Sequence, residues 1–157
     1  MSVRALKKLL HIQLLCICLI GCSLSGLTAC REANRTPRTY LIPDGYVGWV
    51  KIDFKVKDAP ALRTEDGSYV LEFPPSGRLQ TSSPNEYGPA IEEYFYYSGN
   101  ERKPLKFTTW DGGGMIWGGF AGSKQGAEET YEGFFVGTEE QFKTFGANSR
   151  LELLDLP

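Results

Sequence analysis

Histidine and cysteine, the side chains used most often in nucleophilic and metal chemistry, occur only at the start of this chain. His11 and all four cysteines lie in the first thirty of 157 residues, and Cys30 is the last of them. If that stretch is a targeting segment, the rest has no residue for a His-dependent triad, a Cys nucleophile, a disulfide or a Cys/His zinc site. The aspartates are scattered without a calcium-loop pattern. We therefore expect no metal and no cofactor, and we expect a non-enzymatic module with a binding or structural role rather than an enzyme.

The first 29 residues have the pattern of a bacterial signal peptide. Arg4, Lys7 and Lys8 precede the uncharged and mostly apolar stretch 9–27, which is the order of a positive n-region and an h-region. An uncleaved membrane anchor is the alternative, since about 18 apolar residues can cross a bilayer. The glycine and serine residues at positions 21–26 weaken that alternative.

The end of this segment, Leu-Thr-Ala-Cys at 27–30, resembles the lipobox of bacterial lipoproteins. The resemblance implies cleavage before Cys30 and attachment of lipid to it. Leu-Ile-Gly-Cys at 19–22 is a competing match, but cleavage before Cys22 would leave Cys30 as a lone thiol in an oxidising compartment. We expect a protein of the bacterial cell envelope that is held on the membrane by an N-terminal lipid. If the source has two membranes, Arg31 directly after Cys30 implies the outer membrane, by resemblance to the sorting of bacterial lipoproteins.

The mature chain is predicted to be a polar tether followed by one domain. Residues 30–39 contain the lipidated cysteine and the tether, and residues 40–157 form a single β-rich domain. Removing Arg4, Lys7 and Lys8 with the signal peptide leaves 14 of the 17 basic residues against all 19 acidic ones, a net charge of about −5. This balance argues against nucleic acid as a partner.

Period-two alternation of apolar residues predicts that the domain is mainly β. The clearest strand has Val50, Ile52, Phe54 and Val56 on one face and charged residues on the other. Further strands are predicted near 40–42, 69–73, 78–81, 94–97, 105–110, 134–136 and 150–154, with a hairpin across 98–100. A turn is predicted at Pro-Asp-Gly 43–45.

One short helix is predicted near the C-terminus. Thr138 and Gln141 have the spacing of a capping box, and Gly146 is a suitable stop, so the helix covers about 139–145. Together these elements favour a small β-sandwich or compact barrel with one short C-terminal helix, and an α+β fold is the alternative.

The aromatic residues support two interpretations. Twenty of them, all after residue 39, are available either to fill the core or to form an exposed face that binds an envelope protein or glycan. The region 111–126 contains seven glycines and is predicted to be a strand or hairpin rather than a helix or a phosphate loop. The hypothetical binding face consists of Tyr94, Tyr96, Trp110, Asp111 and Trp117.

An enzyme is the less favoured alternative. Without histidine, general acid and base catalysis would need a pair of carboxylates, as in glycoside hydrolysis of an envelope polysaccharide. The candidates are Asp111, the doublet Glu128–Glu129 and the doublet Glu92–Glu93. Adjacent acids on a strand point in opposite directions, so neither doublet is a site by itself.

The segment 40–50 reads YLIPDGYVGWV, and FPPSG at 73–77, TSSP at 81–84 and FFVGTEE at 134–140 follow it. With these stretches the chain resembles a family of small bacterial envelope lipoproteins without a characterised activity. The resemblance implies a bacterial source and a lipid anchor. Its motifs belong to turns and strands, so it implies no catalytic or binding residue.

Overall fold

Two stacked β-sheets make up the part of the chain that the computed structural model describes, which is residues 35–108, 113–124, 126 and 128–146. Sheet A has the order β3-β4-β1-β6-β7 and contains β1 (Arg38–Pro43), β3 (Arg63–Glu65), β4 (Ser68–Glu72), β6 (Glu92–Ser98) and β7 (Glu101–Leu105). Sheet B has the order β5-β2-β9-β8 and contains β2 (Gly48–Phe54), β5 (Arg78–Gln80), β8 (Ile116–Ser123) and β9 (Thr130–Val136).

The prediction of a mainly β fold is confirmed, and the architecture is a sandwich. Within the described residues neither sheet closes into a barrel. β1 pairs in parallel with both β4 and β6, and β2 pairs in parallel with β5. Parallel partners need long crossover connections, so the neighbours of β1 in sheet A and of β2 in sheet B are all distant in sequence.

The predicted turn at Pro43-Asp44-Gly45 carries the chain from one sheet to the other. β1 ends at Pro43 in sheet A, and β2 begins at Gly48 in sheet B. Gly45 has a φ of +73°, which glycine adopts without the steric penalty of a side chain. The turn therefore joins the two layers and does not form a hairpin.

The main core lies between the sheets and follows the predicted alternation. Val50, Ile52 and Phe54 on β2 are fully buried, and they meet Ile42 and Leu71 from sheet A in one hydrophobic cluster. The strand ends at Phe54, earlier than the expected Val56, because Lys55 adopts a left-handed φ of +56°.

The opposite face of β2 is also buried, although its sequence is rich in charge. Lys51 and Asp53 are only 5% and 7% exposed and form an ion pair at 3.2 Å. The Lys51 ammonium also lies 5.1 Å from the centre of the Tyr131 ring. A second cluster covers the same face and contains Trp49, Phe120, Phe135, Trp117, Tyr131 and Phe142.

The C-terminal helix forms as predicted and packs on this second cluster. Helix α1 (Glu139–Gln141) continues into a π-helical turn, Phe142–Gly146. Its capping box is present, since the Thr138 hydroxyl accepts from the backbone N–H of Gln141 and the Gln141 side chain accepts from that of Thr138. Phe142 packs against Trp49 and Phe135, with ring centroids 6.1 and 5.4 Å away.

Several local elements depart from the sequence analysis. β1 begins at Arg38, two residues before the expected start of the domain. β3 was not predicted. A hairpin across 98–100 was predicted and is present, but its second strand was expected at 105–110 and is instead β7 at Glu101–Leu105. The predicted strand at 150–154 lies outside the described residues. In the described part of the chain, no helix is long and apolar enough to span a membrane.

The pairing of β2 with β9 predicts that glycine is required at position 133. A Cβ atom there would lie 2.2 Å from the Val50 carbonyl oxygen, whereas one at Gly119 would be 3.9 Å from its nearest neighbour, the Gly133 oxygen. We expect Gly133→Ala to lower the free energy of unfolding by about 3 kcal/mol, because the strand must shift. Gly119→Ala should change it by about 0.5 kcal/mol or less. Urea denaturation measures both, and equal effects would contradict the close approach of β9 to the Val50 carbonyl.

Candidate functional site

A cleft of about 390 Å³ opens between the two sheets. β1 and β6 contribute one wall, and β8 and β9 contribute the other. Its lining combines aromatic rings with two carboxylates, which belong to Glu92 and Glu132. Two other clefts of about 390 and 370 Å³ in the described part of the domain are lined by residues of sheet A and its turns and contain one or two tyrosines, whereas this cleft has six aromatic side chains.

Two stacked tyrosines form the wall on sheet A. Tyr40 and Tyr94 are direct neighbours in the parallel ladder of β1 and β6, and their rings stack with centroids 4.6 Å apart. Both rings meet Phe134 of sheet B edge-on, at 5.4 and 5.2 Å. Edge-to-face and stacked contacts of this kind favour one fixed arrangement, so the wall is held from both sheets.

The hydroxyls of both tyrosines bind the same carboxylate. Tyr40 donates to Oε1 of Glu92 at 3.1 Å, and Tyr94 donates to Oε2 at 2.7 Å. Arg35 adds an ion pair to Glu92, whose side chain is 30% exposed. Burial acts to raise the pKa of Glu92, but the hydrogen bonds from Tyr94, Arg35 and Tyr40 outweigh it and hold that pKa below its usual value.

The second carboxylate, Glu132, is held by an arginine from the opposite sheet. Nη1 of Arg38 lies 2.5 Å from Oε1 of Glu132, and the Arg38 side chain is 3% exposed. Asn85 binds both partners of this pair. Its side-chain oxygen accepts from Arg38 at 2.8 Å, and its side-chain nitrogen donates to Glu132 at 3.4 Å. Burial raises the pKa of Glu132 above its ordinary value, and the charge of Arg38 reduces that shift without cancelling it.

The cleft stays open because β8 has small residues where it passes the tyrosine wall. Gly119 and Ala121 line the cleft and are exposed. The pairing of β8 with β9 shifts register between Trp117 and Phe120, as in a β-bulge. The glycine-rich segment of the sequence thus supplies a strand that leaves space beside it.

Two larger aromatic side chains stand at the edges of this space. Phe107 is 55% exposed and packs on Tyr94 with a ring distance of 5.9 Å. Trp117 is partly buried, and its indole N–H donates to the Gly137 carbonyl at 2.8 Å. Both rings line the cleft.

The residues of the hypothetical binding face have separate locations. Tyr94 and Trp117 line the cleft, although Tyr94 is only 7% exposed. Tyr96 is 8% exposed and belongs to the main core, where its hydroxyl donates to the Tyr46 carbonyl. Trp110 and Asp111 lie outside the described residues, as do Cys22 and Cys30.

The acidic candidates are also separated. Glu128 pairs with Lys55 at 3.2 Å, and Glu129 pairs with Lys124 at 2.6 Å, both away from the cleft lining. Of the four glutamates in the two doublets, only Glu92 lines the cleft. The second carboxylate there belongs to Glu132, which is in neither doublet. Sequence reasoning missed Glu132 because no local pattern marks it. In the part of the chain described, no three Asp, Glu, His or Cys side chains are grouped so as to hold a metal ion.

Comparison with known proteins places the chain in a family. Residues 34–145, which include both sheets and the cleft, match the family of unknown function DUF6843. The chain belongs to this family. No curated protein matched the chain.

A solved structure shares the fold of this family member. It is a 2.75 Å crystal structure described as a "Putative Lipoprotein from Bacillus anthracis", with a TM-score of 0.54 and 22% sequence identity. The match covers 78% of this chain and 81% of that one. At this identity the similarity establishes the fold alone.

The hydrogen bonds to Glu92 predict a pH-dependent contribution to stability. A carboxyl group whose pKa is lowered by folding stabilises the protein above its unfolded pKa of about 4.3, and this contribution is lost as pH falls through the folded pKa. We expect Glu92→Gln to lower the free energy of unfolding by about 1.5 kcal/mol at pH 7. The difference from the unmodified protein should shrink between pH 5 and pH 3, as measured by urea denaturation.

The neighbouring Glu93 provides the control. It is exposed and follows Glu92 on the same strand, so Glu93→Gln should change stability little at any pH. If Glu92→Gln lowered the free energy of unfolding equally at pH 3 and pH 7, this would contradict the claim that folding lowers the pKa of Glu92.

Proposed function

We propose that this member of the family is a lipid-anchored protein of the bacterial cell envelope, and that its β-sandwich is a non-enzymatic binding module. The cleft between the sheets is the binding site. Its ligand is another component of the envelope, a glycan or a segment of protein.

The anchor is supported by the first thirty residues. A positive n-region, an apolar segment and the lipobox-like residues before Cys30 occur in the order of a lipoprotein signal peptide. The description of the Bacillus anthracis protein as a lipoprotein points in the same direction. Cys30 is the proposed attachment site for the lipid, and Cys22 is the alternative. In a source with two membranes, we propose that the protein is anchored in the outer membrane.

The unfilled space beside Gly119 is the observation that carries the binding role. About 390 Å³ remain open in this cleft next to six aromatic side chains, a concentration of rings that two other clefts of similar volume on the described domain lack. A ligand with a flat apolar face can pack on these rings. Oε2 of Glu132 can accept a hydrogen bond from a hydroxyl or amide group of the ligand, because its contact with Asn85 is long, at 3.4 Å.

Filling the cleft should abolish binding. A side chain at Gly119 meets no close neighbour at its Cβ, so Gly119→Leu should fold and occupy the space. We expect it to weaken the binding of enzymatically released peptidoglycan fragments by about tenfold or more, a loss of about 1.4 kcal/mol. Intrinsic tryptophan fluorescence follows the titration, and Gly119→Ala is the matched control that should still bind. If glycan and peptide fragments leave the fluorescence of the unmodified protein unchanged, the cleft is not their site.

The anchor has its own test. Growth with a clickable fatty acid should label the protein, and Cys30→Ala should lose that label because no acyl chain can be attached. Gel fluorescence of the purified protein measures it. Label retained in Cys30→Ala but lost in Cys22→Ala would move the attachment site to Cys22.

A hydrolase acting on an envelope polysaccharide is the second candidate. The observation in its favour is that two carboxyl groups line one cleft and that their pKa values are shifted in opposite directions, as in acid–base pairs of glycosidases. Against it, both oxygens of Glu92 already accept hydrogen bonds, and Glu132 is paired with Arg38. Release of reducing sugar that Glu132→Gln abolishes would favour this candidate over the binding module.

A further inference from the structure

The chain enters sheet A at the end where three parallel strands begin. β1, β4 and β6 run in the same direction and start at Arg38, Ser68 and Glu92, so these residues share one end of the sheet. We call this the entry end. The cleft lies toward it as well, because Glu92 is part of the cleft lining.

The loop before β6 is held against the entering segment. The Arg35 side chain donates from Nε to the Gly88 carbonyl at 3.0 Å, and the backbone N–H of Arg38 donates to the Ile91 carbonyl at 3.0 Å. Arg35 also pairs with Glu92. The loop residues therefore keep a fixed place beside the point where the chain enters the domain.

Two large apolar side chains of this loop face solvent. Tyr87 and Ile91 are each 70% exposed, the highest values for large hydrophobic residues in the described part of the chain. Isolated exposed apolar residues are common on protein surfaces. These two, however, belong to the short segment 87–92, which Arg35 holds at Gly88 and at Glu92. We call Tyr87 and Ile91 the apolar pair of the entry end.

The length of the tether limits how far this pair can be from the membrane. From Cys30 to Arg35 the chain advances five residues, which span at most about 17 Å when fully extended. On the proposed lipidation of Cys30, on which this inference rests, acyl chains hold that cysteine at the bilayer surface. We propose that Tyr87 and Ile91 insert into the interfacial region of the bilayer and orient the domain with its entry end toward the membrane.

The chemistry of the pair fits a lipid surface. Tyrosine rings favour the level of the lipid headgroups, where the hydroxyl stays hydrated, and an isoleucine side chain gains by leaving water. Arg35 and Glu92 pair with each other, and Arg35 is only 11% exposed. The carboxylate of Glu86, next to Tyr87, accepts hydrogen bonds from the Thr36 backbone N–H and the Tyr69 hydroxyl, so it is held on the domain and not on the side of the two apolar residues.

The absence of cysteine after Cys30 makes a site-specific probe simple. Ile91→Cys introduces a single reactive thiol into the lipidated chain, which is labelled with the fluorophore NBD and placed in phosphatidylcholine vesicles. Val47→Cys is the matched control: Val47 is also apolar and 43% exposed, but it follows the turn at the opposite end of β1. The readout is quenching by phosphatidylcholine that carries a nitroxide near the headgroup.

We expect the nitroxide lipid to quench the probe at position 91 at least twofold more strongly than the probe at position 47. Equal quenching, with mass spectrometry showing lipid on Cys30, would overturn this inference and leave the lipoprotein proposal intact. A chain without lipid would overturn the lipoprotein proposal and this inference with it. Lipid on Cys22 would overturn only the inference, because the longer tether removes the distance limit.

Discussion

The ion pair between the buried Arg38 and the partly buried Glu132 connects the two sheets, and the site depends on it. Arg38 begins β1 in sheet A, Glu132 lies on β9 in sheet B, and the arginine is 3% exposed. Its guanidinium also lies 5.2 Å from the centre of the Phe54 ring in the core. Removing one partner of a buried pair leaves an uncompensated charge, at a cost of about 3–5 kcal/mol. The pair therefore determines how the strands that carry both cleft walls face each other.

The cleft stays open because neither of its walls can fill it. Tyr40 and Tyr94 cannot turn to fill the space, because their hydroxyls are bound to Glu92 and their rings rest on Phe134. On β8, Gly119 and Ala121 leave the space open between the larger residues Trp117 and Phe120, which also line the cleft. Groups that are fixed by contacts on both sides lower the ordering cost of binding, which is why we propose this cleft as the binding site.

The fold could be predicted where the signal is local. Alternation identified the strand of Val50, Ile52 and Phe54, and capping chemistry identified helix α1, because both depend on residues close in sequence. The parallel pairings could not be predicted, since they depend on distant segments. Arg38 looked like a solvated tether residue because its partner is 94 positions away. The period of two placed Tyr94 and Tyr96 on one face, but only the packing of sheet B on β6 made that face the inner one.

The central claim is that the cleft between the sheets binds an envelope component, and a residue-resolved NMR titration tests it most directly. Peptidoglycan fragments are added to the ¹⁵N-labelled protein, and the backbone amide signals are followed to saturation. We expect the amide signals of Gly119, Ala121 and Glu132 to shift together with one affinity, while those of Gly67 and Gly99 in the turns of sheet A do not move. Saturable shifts confined to sheet A's outer face, with the cleft amides unchanged, would contradict it.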